Sequence, residues 1–183
     1  MMQRGDHEAF LKAAVPELEA YLLSDQLFWP LGSGQRMTLG NVLLALKEWG
    51  AVEPSDADHG AFHALREQIG AVRDRWRTNW SNKAEHEFEA RLRQWDQALK
   101  DFFSEMSNKT VIYRQEVTVR AILELLKSEM LEAPLDDINR LARLDAQLRR
   151  ATQPADFIWD AGWQNAFPPE TYWFLYIQTP AGE

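Results

Sequence analysis

The stretch WSNKAEHEFEARLRQWDQALKDFF, residues 80–103, carries large apolar side chains at intervals of three and four residues. These positions are Trp80, Ala84, Phe88, Leu92, Trp95, Leu99 and Phe102. This spacing places them on one face of a helix, with charged residues on the opposite face. The stretch therefore predicts a long amphipathic helix whose tryptophans face the core of a helical protein.

The same apolar stripe extends upstream through Phe62, Ile69 and Trp76 without a change of phase, so residues 60–105 fit one long helix. Asn82, followed by Glu85 three residues later, has the pattern of a capping box, which would start a new helix at that point. The sequence is thus consistent with either one helix or two.

Two further helices are predicted before this segment. The first begins at Asp6 as N-cap and is interrupted by Pro16, where we expect a kink or a new start. A loop over residues 24–37 follows it. Thr38 caps the second helix, and Gly50 is expected to end it in the left-handed conformation.

Two more helices are predicted after residue 105. One spans residues 117–131, and we favour it over short strands at the β-branched clusters 110–112 and 117–119. The other begins at Pro134 and turns Leu135, Ile138, Leu141, Leu144 and Leu148 inward.

The C-terminal stretch FPPETYWFLYIQTP, residues 167–180, is unusually aromatic and too short to span a bilayer. Pro154 and Pro169 are expected to begin two short helices that dock on the core, with Asp160 as a partner for an indole N–H. The whole chain, 1–183, is therefore predicted to form a single all-α domain, a bundle of about six to eight helices.

Composition excludes several classes of protein. A net charge of −8 disfavours a nucleic-acid surface and an anionic membrane surface. The absence of cysteine excludes thiolate chemistry and disulfides. Without a long apolar run or a leader-like N-terminus, the chain is expected to be cytoplasmic, with no membrane or nucleic-acid partner.

His59 and His63 are spaced by four residues, and Glu67 lies one further turn along, so the three fall on one helical face. Imidazole and carboxylate groups in such a row can bind a metal ion, with Asp56 or a group from another helix completing the site. The sequence suggests no other cofactor.

A second candidate site is polar and flanks the tryptophan stripe; its residues are Arg77, Lys83, Glu87 and Arg91. If partly buried, these side chains must form hydrogen bonds with one another in a network or hold a ligand.

Catalytic motifs such as G-x-S-x-G and the P-loop are absent from the sequence. The chain is therefore expected to be a non-enzymatic interaction or structural subunit, with a protein partner or a second copy of itself. The alternative is a bundle that binds a metal or small ligand through His59, His63 and Glu67.

Overall fold

Seven α-helices form the framework of the computed structural model, which describes residues 4–32, 34–51, 56–104 and 109–179. They are α1 (Arg4–Ala14), α2 (Leu18–Leu23), α3 (Leu39–Ala51), α4 (Asp56–Arg75), α5 (Arg77–Ser104), α6 (Lys109–Lys127) and α7 (Leu135–Ala151). The all-α bundle predicted from the sequence is confirmed. None of the described helices is long and apolar enough to cross a membrane.

The core is centred on α5, which packs along α6, while α3 lies against α1 and α6. Trp80, Phe88 and Trp95 of α5 are buried, as the apolar stripe predicts, and Trp49 of α3 is buried as well. Burying a large apolar side chain contributes about 1.5–3 kcal/mol to folding. Burial of the aromatic stripe therefore contributes much of the free energy that stabilises the bundle.

Residues 60–104 form two helices, one of the two alternatives, and the break falls at Trp76 rather than at the possible capping box. The backbone N–H of Trp76 still donates to Val72 O at 2.9 Å, so hydrogen bonding continues up to the break. Asn82 and Glu85 lie inside α5. Asn82 is exposed there, and the unbroken apolar stripe keeps the chain helical through this position.

Three predicted helix ends can be compared with the structure. Asp6 lies in the first turn of α1, which begins at Arg4, and an acidic group there suits the positive end of the helix dipole. The expected interruption at Pro16 is confirmed by a 3-10 turn, Val15–Glu17, before α2. Gly50 does not end α3, which continues to Ala51.

Within the described ranges, the one glycine with a positive φ is Gly34, at 78°, in the hairpin that joins β1 (Trp29–Pro30) to β2 (Arg36–Met37). Gly50 has a different use: a Cβ there would lie 3.0 Å from the ring of Phe62 on α4. The glycine therefore lets α4 approach α3 closely.

The segment after residue 109 is helical, as favoured over the strand alternative, and α6 includes both β-branched clusters. Pro134 is predicted to begin α7; in the structure it is the N-cap, and the helix starts one residue later at Leu135. Leu135, however, is 78% exposed rather than inward, whereas Leu141, Leu144 and Leu148 are buried. Helix α7 thus reaches the core only after its first turn.

The aromatic C-terminal segment docks on the core, as predicted, but through two 3-10 helices, Ala161–Ala166 and Trp173–Leu175. Pro154 does not start a helix: it belongs to β3 (Gln153–Pro154), which pairs antiparallel with β4 (Ile177–Gln178). A regular helix would spread these closely spaced aromatic rings around its circumference. The short turns instead allow them to reach the core.

Candidate functional site

The predicted metal ligands lie together on the surface of α4. The rings of His59 and His63 are stacked with their centroids 6.1 Å apart, and both residues and Glu67 are exposed. The side chain of Asp56 lies outside the described residues. In the part of the chain that is described, no third His, Asp or Glu completes a metal-binding group, and the metal site stays a prediction.

Glu87 is the centre of a buried polar network between α5 and α3. Its Oε2 accepts a hydrogen bond from the backbone N–H of Gly40 at 2.8 Å, and its Oε1 accepts one from Arg91 Nε at 3.2 Å. Arg91 also donates to Thr38 and to Asn41 Oδ1, the latter at 3.3 Å. The carboxylate thus occupies the positive end of α3 while paired with a guanidinium.

Lys83 belongs to a separate set of contacts. Its Nζ donates to the carbonyl oxygens of Ser24 and Gln26, at 2.8 and 2.7 Å, and lies over the ring of Tyr21. It fastens the loop after α2 to α5. Arg77 is exposed at the start of α5 and takes no part in either set. In the structure, the residues of the predicted network therefore belong to two separate sets of hydrogen bonds within the fold.

A cavity of about 710 Å³ lies where α1, α3, α6, the β1–β2 hairpin and the C-terminal segment meet. Its lining residues are His7, Phe10, Gln35, Arg36, Asn41, Leu44, Ala45, Glu48, Arg114, Gln115, Thr118, Ile158, Trp159 and Trp163. The volume falls within the range of about 300–1,000 Å³ that is common for small-molecule sites. Asn41 connects this cavity to the Glu87 network through Arg91.

His7 and Glu48 provide the buried polar groups of the cavity. His7 is 2% exposed and Glu48 is 7% exposed. His7 Nε2 lies 3.3 Å from Glu48 Oε2, but this contact lacks hydrogen-bond geometry, and within the described ranges neither ring nitrogen of His7 has a hydrogen-bond partner. Buried polar groups are nearly always partnered, so two unpartnered imidazole nitrogens, both covered by neighbouring atoms beside a cavity, are unusual.

The electrostatics of this pair follow from burial. Burial lowers the pKa of His7, against the opposing effect of the Asp6 carboxylate, and so favours the neutral imidazole. Burial raises the pKa of Glu48 to about 7. Near neutral pH the carboxyl group can therefore either donate or accept a hydrogen bond, beside an imidazole that offers one donor and one acceptor.

Aromatic rings form one wall of the cavity. The indoles of Trp159 and Trp163 stand perpendicular, with their centroids 6.3 Å apart, and Trp163 also meets the His7 ring edge-on at 6.0 Å. Asp160, between them, accepts a hydrogen bond from Gly162 N instead of the expected indole N–H. Together with Phe10 and Leu44, these rings provide an apolar surface beside the buried polar pair.

Two arginines lie at the edge of the same cavity. Arg36 comes from β2 and Arg114 from α6, and both are exposed. Arg114 and Ile158 also line a neighbouring cavity of about 480 Å³ between the start of α6 and the β3–β4 pair. Among the described residues that line this second cavity there is no buried histidine or carboxylate, so the larger cavity is the better candidate.

Sequence reasoning missed His7 and Glu48, although each position carries a signal. His7 precedes Leu11 by four residues and thus extends the apolar stripe of α1. Glu48 follows Leu44 by four residues, on the second apolar face of α3. An ionisable residue on an apolar helical face predicts a buried polar group. The pattern does not show that His7 and Glu48 meet, because their contact depends on how α1 crosses α3.

No protein-family model matches the chain, and neither do the curated proteins or the solved structures with which it was compared. Function is therefore inferred from the geometry of the site.

Proposed function

We propose that the protein binds a small organic molecule in the cavity that contains His7 and Glu48. The observation that carries this proposal is the His7 ring, which lines the cavity at 2% exposure with both nitrogens free of hydrogen bonds from the described residues. A ligand group that supplies these bonds would recover the desolvation cost of leaving them unmade, about 1–3 kcal/mol per group. The alternative predicted from the sequence is a metal or small ligand at His59, His63 and Glu67, so the cavity is a different site for a small ligand.

Ligand-observed NMR screening of a fragment library tests the proposal. The matched pair of variants is Ala45→Phe, which puts a ring into the cavity lining, and Ala146→Phe, which makes the same change at an exposed site of α7. We expect fragments that bind the wild type and the Ala146 variant but not the Ala45 variant. If fragments bind all three proteins equally, or none binds, the cavity is not a ligand site.

A second variant covers the case in which Ala45→Phe does not fold. His7→Phe keeps a buried aromatic ring and removes only the two free nitrogens. Circular dichroism and the melting temperature show whether it is folded, and we expect polar fragments to lose binding to the folded variant.

The interaction role predicted from the sequence remains a second proposal. The observation that favours it is a set of large apolar side chains more than half exposed, Val111, Leu131 and Leu135 among them. Multi-angle light scattering that shows a strict monomer would count against a homodimer.

Elemental analysis of the wild type and of the His63→Ala variant tests the metal prediction. A cytoplasmic location is part of both proposals.

A further inference from the structure

The charges at the edge of the cavity distinguish between classes of ligand. Arg36 and Arg114 form no ion pair with any of the described residues, although the chain has 28 acidic residues against 20 basic ones. Arg91 and Arg120 are paired with carboxylates, whereas several exposed arginines form no ion pair with a described residue: Arg66, Arg77, Arg143, Arg149 and Arg150. What distinguishes Arg36 and Arg114 is that both line the same cavity. Two unpaired guanidinium groups from different elements at one cavity are therefore a local excess of positive charge in an acidic protein.

Among the described residues of the lining, Glu48 is the one carboxylate, and it does not offset this charge fully. Glu48 is buried rather than at the edge, and burial favours its neutral form. His7 beside it is held neutral by the same cause, with Asp6 opposing. The cavity thus has a polar but weakly charged interior and a positively charged edge.

We infer that the ligand is an organic anion, a carboxylate or similar oxyanion on an apolar aromatic body. The body lies against Trp159, Trp163 and Leu44, the anionic group meets Arg36 and Arg114, and a polar substituent reaches His7 and Glu48. Guanidinium groups bind carboxylates through parallel N–H donors, which gives orientation as well as affinity. This inference rests on the proposed function and adds the class of ligand to it.

The competing class is an organic cation. An ammonium group would pair with Glu48 and lie over the indoles, as cations do in aromatic cages. It would have to pass two guanidinium groups that repel it, and it would leave both of them without a partner. The position of the arginines therefore favours the anion.

Isothermal titration calorimetry at low salt with three compounds of one shape tests the inference. Naphthylacetate is the anion, naphthylacetamide the neutral analogue and naphthylethylamine the cation. We expect naphthylacetate to bind about tenfold more tightly than the amide, which corresponds to about 1.4 kcal/mol. Added salt should weaken the binding of the anion and leave that of the amide unchanged.

Variants of the arginines locate the effect. Arg36→Gln and Arg114→Gln should each lower the affinity for naphthylacetate by about fivefold, the size expected for a partly exposed ion pair. The affinity for the amide should not change. Arg93→Gln, an exposed change on α5 away from the cavity lining, is the matched control and should have no effect.

The outcomes separate the two proposals. If the amine binds best, or the arginine variants bind the anion as the wild type does, the anion class is wrong while the cavity remains a ligand site. If fragments bind the cavity but none of the naphthyl compounds does, the class of ligand is again wrong. If neither the fragments nor the compounds bind, both proposals fail.

Discussion

At the scale of single residues, Glu48 is a buried carboxyl group whose protonation depends on its surroundings. It is a carboxyl on α3 that lies among apolar side chains, and the neutral imidazole of His7 is its nearest described partner. Because a neutral ring cannot compensate a buried negative charge, burial raises the pKa of Glu48 to about 7 from an ordinary value of 4.5. Folding and protonation of this side chain are therefore coupled.

The coupling predicts a pH dependence. Between the two pKa values the folded protein binds more protons than the unfolded chain, so the stability associated with Glu48 is lost as the pH rises through about 7. Glu48→Gln should raise the free energy of unfolding by about 3 kcal/mol near pH 8 and by about 1 kcal/mol or less near pH 5. Urea unfolding at both pH values measures this, with the exposed Glu89→Gln as control. A difference between Glu48→Gln and wild type that does not vary with pH would contradict the assignment.

The sequence predicts part of this residue-level picture. Lys83, Glu87 and Arg91 could be selected because they flank an apolar stripe, and the structure buries Lys83 and Glu87 in separate hydrogen-bonded sets. The pairing of Glu87 with Arg91 follows from their i, i+4 spacing. The other partners, the backbone groups of Gly40, Ser24 and Gln26, could not be predicted because tertiary contacts bring them in. The meeting of His7 with Glu48 is hidden for the same reason: helical periodicity identifies a face but not the neighbour that covers it.

At the scale of elements, Gly40 sets how closely α3 approaches α5 and α6. A Cβ at this position would overlap the Ile122 methyl group of α6 and lie 2.7 Å from Glu87 Oε1 on α5. The missing side chain is what allows Glu87 to accept the hydrogen bond from Gly40 N. One glycine therefore supports both the packing and the polar network.

Gly40→Ala should destabilise the protein by about 2–3 kcal/mol, since overpacking forces neighbouring side chains or backbone to shift. Gly70→Ala is the matched change: it lies inside α4, and a Cβ there would meet nothing within 4 Å. That substitution should stabilise by about 0.5–1 kcal/mol, because alanine favours the helix. Urea titration of both variants measures the contrast. Equal effects would show that the close approach at Gly40 does not limit packing.

Elements are predictable where one physical signal dominates. Long apolar stripes identified α5 and α7, and Pro16 and Pro134 marked real boundaries. The predicted end at Gly50 was wrong, and the possible helix start at Asn82 lies inside α5, because local capping signals were weaker than the packing of continuous apolar faces. The C-terminal aromatics adopt 3-10 turns and a β pair, since their positions are set by the surface on which they dock.

At the scale of the whole molecule, the C-terminal segment completes the core. Phe174 is fully buried, with the Arg120 guanidinium 4.5 Å from its ring, and its carbonyl oxygen accepts a hydrogen bond from Tyr113. Arg120 is itself paired with Asp145 on α7. The segment, α6 and α7 are thus joined through one cluster of contacts.

Phe174→Ala should cost about 3–5 kcal/mol, as expected when a buried phenylalanine leaves a cavity. Hydrogen exchange should also quicken at the amides of Ala155 and Ile158, which donate to Tyr176 O and Leu175 O. Phe103→Ala, at a site 38% exposed, is the control and should cost about 1 kcal/mol or less. Exchange that is unchanged at both amides in the Phe174 variant would show that the segment is held elsewhere.

The perpendicular indoles of Trp159 and Trp163 have an optical consequence. At a centroid separation of 6.3 Å their electronic transitions couple, and the resulting exciton signal depends on the angle between the rings. A ligand that turns either ring would alter this exciton signal in the circular dichroism spectrum. Ligand binding in the cavity can therefore be followed through the two tryptophans, without an added label.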